Sequence, residues 1–311
     1  MPNDNLKSYL HLHVIVFIWG FTAVLGKLIS LQALDLVWYR MLFAFGFMVL
    51  YFLYTKESLK ISLHTFVGFM VSGIIITAHW FTFYQAIKVS NISITLACLS
   101  TGAFFASLLE PIIYREKINW LNVFLGLFVV LGLYFVAFAE VIDKYGIIES
   151  FQHSFNDPSV NLSGVVLALT SALLSALFSV INGKFAKEYN PNVISFYELF
   201  GGVFFLSIYM FFAGDFKPEF FSISLKDIVW LLILSSFCTA YAFSASIKVM
   251  KYLSPYTVML TINMEPIYGI ILALLIFKDS EKMNHLFYVG AFIIITSVIV
   301  NGILKNKKVE N

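Results

Sequence analysis

Apolar positions in this chain run on rather than alternate. Stretches of about twenty residues with few or no charges recur along its length, each ended by a short polar break. In lipid every backbone group must be paired, so a helix is the natural element for such a stretch. Reading for these runs places ten spans at roughly 12–31, 36–54, 65–86, 92–113, 120–139, 162–183, 192–213, 227–247, 256–277 and 286–304. Several breaks hold only a few residues, which makes neighbouring helices antiparallel. The longest break, Glu140 to Asn161, carries Gly146, Asn156 and Pro158 and reads as a linker with one surface turn. The first run, Leu12 to Ile29, exceeds the core of a signal peptide and reads as the first span.

Composition agrees with a membrane chain. Of 311 residues, 60% are hydrophobic and 12% charged, and the mean hydropathy is +0.87. That excludes disorder and argues against a soluble fold. A net charge of +2, with no basic patch interleaved with aromatics, speaks against a nucleic-acid partner. Cys98 and Cys238 lie inside apolar runs and read as small buried hydrophobes. No metal or cofactor site is expected.

With a cytoplasmic N-terminus, twelve Lys/Arg fall on the inner side: Lys7, Lys56, Lys60, Arg115, Lys117, Lys184, Lys187, Lys248, Lys251, Lys305, Lys307 and Lys308. Six fall outside: Lys88, Lys144, Lys217, Lys226, Lys278 and Lys282. Positive charge favours the cytoplasm, so both termini are expected inside, in a cell (inner or plasma) membrane.

The pattern is written twice. Lys88 and Lys251 stand 163 positions apart, as do Glu116 and Asp279. Gly26-Lys27 matches Gly183-Lys184 at 157, and Tyr39-Arg40 matches Tyr197-Glu198 at 158. Loop insertions explain the drift. Five spans per copy is an odd number, so the copies must point opposite ways in the bilayer, as in many alternating-access carriers. The expected fold is all-α: ten transmembrane helices as two inverted five-helix repeats, 12–139 and 162–304, around a central cavity, with 140–161 as an extracytoplasmic linker.

Trp19-Gly20, Met250-Lys251-Tyr252-Leu253-Ser254, Glu265-Pro266 and the acid thirteen positions after Pro266 (Asp279) carry a family resemblance. On them the chain resembles the EamA type of the drug/metabolite transporter superfamily. Ala103 stands where that family often has proline, and Asp279 where it usually has glutamate. The resemblance implies two bundled halves around a cavity and transport of small metabolites, often amino acids outward.

Charge inside a membrane usually faces a cavity or a partner. Lys27 and Glu110 lie near span ends and can reach the interface. Glu265 cannot: it sits ~14 Å into its span, near the midplane. Pro266 beside it strains the carbonyl ladder one turn back, near Ile262. A structural alternative has Glu265 hydrogen-bonded to Asn263. Arg40 presents a fork suited to a carboxylate, unless it pairs with Asp35. Arg40 and Glu198 are repeat-related, so inversion puts them at opposite gates or opposite ends of one site. Glu198 and Glu265, at similar depth, could share a proton. His79, followed by Trp80 and Tyr84, is a candidate cavity donor or relay. Trp19, Tyr197 and Tyr241 are candidate cavity walls. Ser235, Ser236, Thr239 and Ser246 form a polar stripe in the eighth span, and Gly201-Gly202 permit close helix approach.

Mixed charge points to a zwitterion: Arg40 meets a carboxylate and Glu265 an ammonium. A carrier of organic anions or phosphate esters would need more cations at the midplane. A lipid-modifying enzyme is disfavoured by the absence of catalytic motifs, and a non-transporting scaffold would need a dry core. Expected partners are the lipid bilayer, a small-molecule substrate and protons as coupling ion, in a monomer or homodimer.

Overall fold

The computed structural model describes residues 2–117, 120–153 and 161–310, and among them every regular element is helical. The chain forms α1 (Pro2–Leu28), α2 (Ala33–Thr55), α3 (Leu63–Val89), α4 (Ile92–Leu99), α5 (Gly102–Tyr114), α6 (Trp120–His153) and α7 (Leu162–Glu188). It continues with α8 (Pro191–Ala213), α9 (Leu225–Ser235), α10 (Ala242–Val249), α11 (Pro255–Ile262), α12 (Met264–Phe277) and α13 (His285–Glu310). A π-helical turn, Ser236–Tyr241, joins α9 to α10. Nine helical stretches among the described residues are long and apolar enough to cross a membrane. The tenth expected span falls on α13, whose apolar stretch is shorter, His285–Ser297.

Local chemistry sets the helix ends. Side chains of Ser62, Asn91, Ser224 and Ser254 accept from the first-turn amides of Thr65, Ile94, Asp227 and Thr257, which have no partner within their own helices. At the other ends Lys56, Gly214, Arg115 and Lys278 turn the chain through positive φ.

The fourth, eighth and ninth spans are not continuous, and α6 is interrupted as well. The fourth breaks at Ser100-Thr101, where the hydroxyls bond the carbonyls of Leu96 and Cys98. The ninth breaks at Asn263, whose amide makes a tightened bond to the Leu260 carbonyl, three residues before Pro266. The eighth carries the π turn.

The expected linker is in part helical. Residues 140–153 belong to α6, which is interrupted by non-helical Phe138 and by Gly146 at φ +80°. Val141 and Ile142 are buried. The Ser150 Oγ lies 2.7 Å from the Tyr134 hydroxyl. Sixteen residues of straight helix would separate those atoms by ~24 Å, so the segment bends back on itself. Asn156 and Pro158 lie outside the described residues.

Helices of the first half pack mainly on helices of the second: α1 on α12 and α10, α2 on α8, α3 on α7 and α8, α5 on α7, and α6 on α13. The core is the seam between them. Aromatics such as Phe212 and Trp120 stand on the outside, at 83% and 80% exposure, as bulk facing lipid should.

Candidate functional site

A cavity of about 70 Å³ lies in that seam. Trp19 and Thr22 of α1, Arg40 of α2 and His79 and Trp80 of α3 line it from the first half. Phe178 and Ser179 of α7, Phe243 and Ser246 of α10, and Glu265 of α12 line it from the second. It reaches Met250 at the α10–α11 turn, and Met259 of α11 completes the wall there.

Arg40 is buried at 2% exposure. Its Nε donates to Thr239 Oγ1 at 2.7 Å and its Nη1 to the Tyr84 hydroxyl at 2.8 Å. Its guanidinium carbon stands 3.9 Å from the centre of the Trp80 ring. The sequence allowed an ion pair with Asp35; the structure instead holds Arg40 by neutral hydroxyls and a ring face, and among the described residues it forms no salt bridge. A guanidinium stacked on indole and held at two edges is fixed in orientation without a carboxylate in direct contact.

The π turn makes this arrangement possible. Widening the helix lets Thr239 Oγ1 donate to the Leu234 carbonyl, five residues back, and receive Arg40. It also frees the Cys238 carbonyl, which accepts from Trp19 Nε1 at 3.0 Å. Tyr84 needs a gap in α1: a Cβ on Gly26 would stand 2.3 Å from the Tyr84 ring. Trp80, Phe243 and Phe178 follow one another at 5.6 and 5.4 Å between ring centres, so the guanidinium ends a continuous aromatic wall.

Glu265 is buried at 6% exposure with the Thr22 hydroxyl beside its carboxyl. Among the described residues it forms no salt bridge with Arg40, and the alternative bond from Asn263 Nδ2 is not formed, that nitrogen being buried without a partner at the helix break. His79 Nδ1 lies 2.9 Å from the Ser171 carbonyl oxygen. A carbonyl only accepts, so Nδ1 carries a proton, with the Ser171 hydroxyl oxygen also 2.8 Å away.

The structure thus brings Trp19, Arg40, His79 and Glu265 to one cavity, with Tyr84 directly behind Arg40. It does not bring Glu198, Tyr197 or Tyr241 there. Glu198 accepts from Asn182 Nδ2 at 2.8 Å between α3, α7 and α8, so it does not share a proton with Glu265. The Tyr197 hydroxyl donates to the Leu59 carbonyl, and its ring packs on Phe66. Tyr241, 46% exposed, meets His11 at 2.9 Å in a separate pocket that includes Lys248. Thr22, Phe178 and Phe243 were not singled out from the sequence. Only their helical spacing from the polar candidates could have found them.

At the end of the bundle away from Met250 the seam is tied shut. Lys27, its side chain 30% exposed, pairs at the span end: its Nζ lies 2.6 Å from Glu281 Oε1. Glu281, fully buried, also accepts from the amides of Ile92 and Ser93 at the start of α4. Three residues past Lys27, Ser30 donates both its amide and its hydroxyl to Asp227. Among the described residues no cluster of His, Cys, Asp and Glu could hold a metal ion.

The model of the EamA-like transporter family matches this chain twice, over residues 6–138 and 162–303. An uncharacterized transporter from Clostridium kluyveri is 26% identical over 227 residues, covering 73% of this chain and 68% of that protein. A crystal structure of a protein 14% identical superposes with a TM-score of 0.67, covering 97% of this chain and 98% of that one, and so shares the fold.

Proposed function

Because the chain belongs to the EamA-like transporter family, we propose that this multi-pass membrane protein exports small zwitterionic metabolites, amino acids or close relatives, by alternating access with protons as coupling ion. One observation carries the substrate class. A stacked guanidinium and a buried carboxyl line the same cavity without a direct salt bridge between them. A free amino acid offers that pair of sites a carboxylate for Arg40 and an ammonium for Glu265. An organic anion or phosphate ester finds a single cation there, opposed by Glu265.

The moving parts in this reading are two inverted five-helix repeats, 12–139 and 162–304, joined by 140–161, with α13 as the tenth span. Support comes from equivalent local structures at the offsets of the sequence repeat. The helix caps Lys56 and Gly214 stand 158 apart, and Arg115 and Lys278 stand 163 apart. Asn91 and Ser254 cap equivalent helix starts, and the breaks at Ser100 and Asn263 are equivalent, both at 163. Lys27 of α1 reaches the end of α12 while its counterpart Lys184 of α7 reaches the Ile113 carbonyl near the end of α5. With both termini in the cytoplasm of a cell-membrane protein, the cavity reaches inward to Met250 and the Lys27–Glu281 tie closes the outer side. The oligomer is a monomer or homodimer.

The test is counterflow of labelled amino acids in proteoliposomes, with Arg40→Gln and Glu265→Gln as variants. Exchange in the native protein and its loss in both variants is the expected result. Exchange of no amino acid by the native protein removes the substrate class. Undiminished exchange in both variants removes the site.

A further inference from the structure

Glu198 lies outside the cavity, fully buried where α8 meets α3 and α7. Its Oε1 accepts from Asn182 Nδ2 at 2.8 Å, and the same amide donates to Ser72 Oγ at 3.1 Å. Two acceptors of this cluster, Glu198 Oε2 and Asn182 Oδ1, are buried without a hydrogen-bond partner. A buried polar group left unpaired is costly, and a buried carboxylate without a counter-ion far more so. The seam is tight: a Cβ on Gly73 of α3 would stand 2.3 Å from the Glu198 carbonyl oxygen.

Charges on the packed helices are engaged elsewhere or face outward. On α2, Arg40 is held by Thr239 and Tyr84, and Asp35 lies in the first turn. On α3, His79 bonds Ser171, Lys88 donates to the Ile29 carbonyl, and His64 is exposed at the helix start. On α7, Lys184 donates to Ile113, while Lys187 and Glu188 are exposed, as is Lys248 on α10. None of them forms an ion pair with Glu198 among the described residues.

We propose that Glu198 is a proton-binding site of the carrier, separate from the substrate cavity and coupled to the closure of the seam between α3 and α8; this rests on the transport reading. A proton on Oε2 removes the charge and turns one orphan acceptor into a donor. A metal cation would fit badly, because the Asn182 amide already points an N–H at the carboxyl. The step is an O–H bond broken to give a carboxylate and a hydrated proton when the seam opens to water, and re-formed from the other side. The neutral acid suits the tight seam and the carboxylate a wetted one.

Infrared spectroscopy of the native protein in liposomes should show the carbonyl band of a protonated carboxylic acid that shifts in heavy water and is absent from Glu198→Gln. It should persist in Glu265→Gln. Absence of a band assignable to Glu198 overturns the proposal, and this readout needs no substrate. In the same vesicles, with a labelled mixture of the proteinogenic amino acids and an imposed pH gradient, native protein should accumulate label. Glu198→Gln should only equilibrate it while still exchanging it in counterflow. Accumulation by Glu198→Gln at the native level overturns the proposal, and so does loss of counterflow together with accumulation, which would make Glu198 part of the substrate site. A band without any native counterflow removes the amino-acid reading and leaves the proton site standing.

Discussion

At Arg40 the guanidinium plane lies on Trp80 while Thr239 and Tyr84 hold two of its edges. Lysine would keep the charge and lose both the plane and the fork. Arg40→Lys is expected to raise the KM for counterflow about tenfold, which corresponds to ~1.4 kcal/mol. An unchanged KM would show that charge alone matters. His79 offers a finer test. Asparagine can keep a donor near the Ser171 carbonyl but has no atom where Nε2 stands. His79→Asn should therefore slow transport while leaving the thermal midpoint within a few degrees of native. A large fall in the midpoint would mean the ring serves packing alone. Arg40, Glu265 and His79 were legible in the sequence because charge and imidazole are rare inside lipid. Thr22, Phe178 and Phe243 were not. In a chain that is 18% aromatic, one more phenylalanine in a span carries no signal of which way it faces. Tyr197 and Tyr241 fail for the same reason, since each points to a backbone carbonyl or a second pocket rather than into the cavity.

Between elements, close approach decides the geometry, and α1 against α3 is the clearest instance. Gly26 leaves the space that the Tyr84 ring fills, and Tyr84 in turn fixes Arg40. Gly26→Ala forces a Cβ into that ring and is expected to cost about 1–3 kcal/mol by overpacking. Counterflow should fall with stability, because displacing Tyr84 releases Arg40. Gly46→Ala on α2, with no atom within 4 Å of the added carbon, is the contrast and should match native in both thermal midpoint and counterflow. Equal behaviour of the two variants would refute the role given to the gap. The spans themselves were readable because apolar length is dictated by the bilayer. Their interruptions were only partly so: Pro266 announces the break near Asn263, whereas nothing in Ser236–Tyr241 distinguishes a π turn from an ordinary helical turn. Residues 140–153 read as a loop from their charges and Gly146, whereas the structure folds them as interrupted helix with Val141 and Ile142 buried.

For the whole molecule, the contrast between its two ends is a statement about conformational state. Glu281 is fully buried, and its charge is compensated by Lys27 and by two amides at the start of α4. Among the described residues no salt bridge ties α10 to α11 beside Met250, which lines the cavity. On the alternating-access proposal, opening the Lys27 end exposes Glu281 to water, and the ion pair is expected to bias the carrier toward one orientation. Glutamine at 281 keeps a carbonyl for the amides of Ile92 and Ser93 but removes the charge that holds Lys27. In a background with Cys98→Ala and Cys238→Ala, Ser246→Cys puts a thiol on the cavity wall. A membrane-impermeant maleimide should label it from the Lys248 side in the otherwise native chain. Adding Glu281→Gln should raise labelling from the opposite side severalfold and lower it from the first, because the same population is being redistributed. Equal labelling from the Lys27 side with and without Glu281→Gln would show that the ion pair stabilises the fold without setting which way the carrier faces.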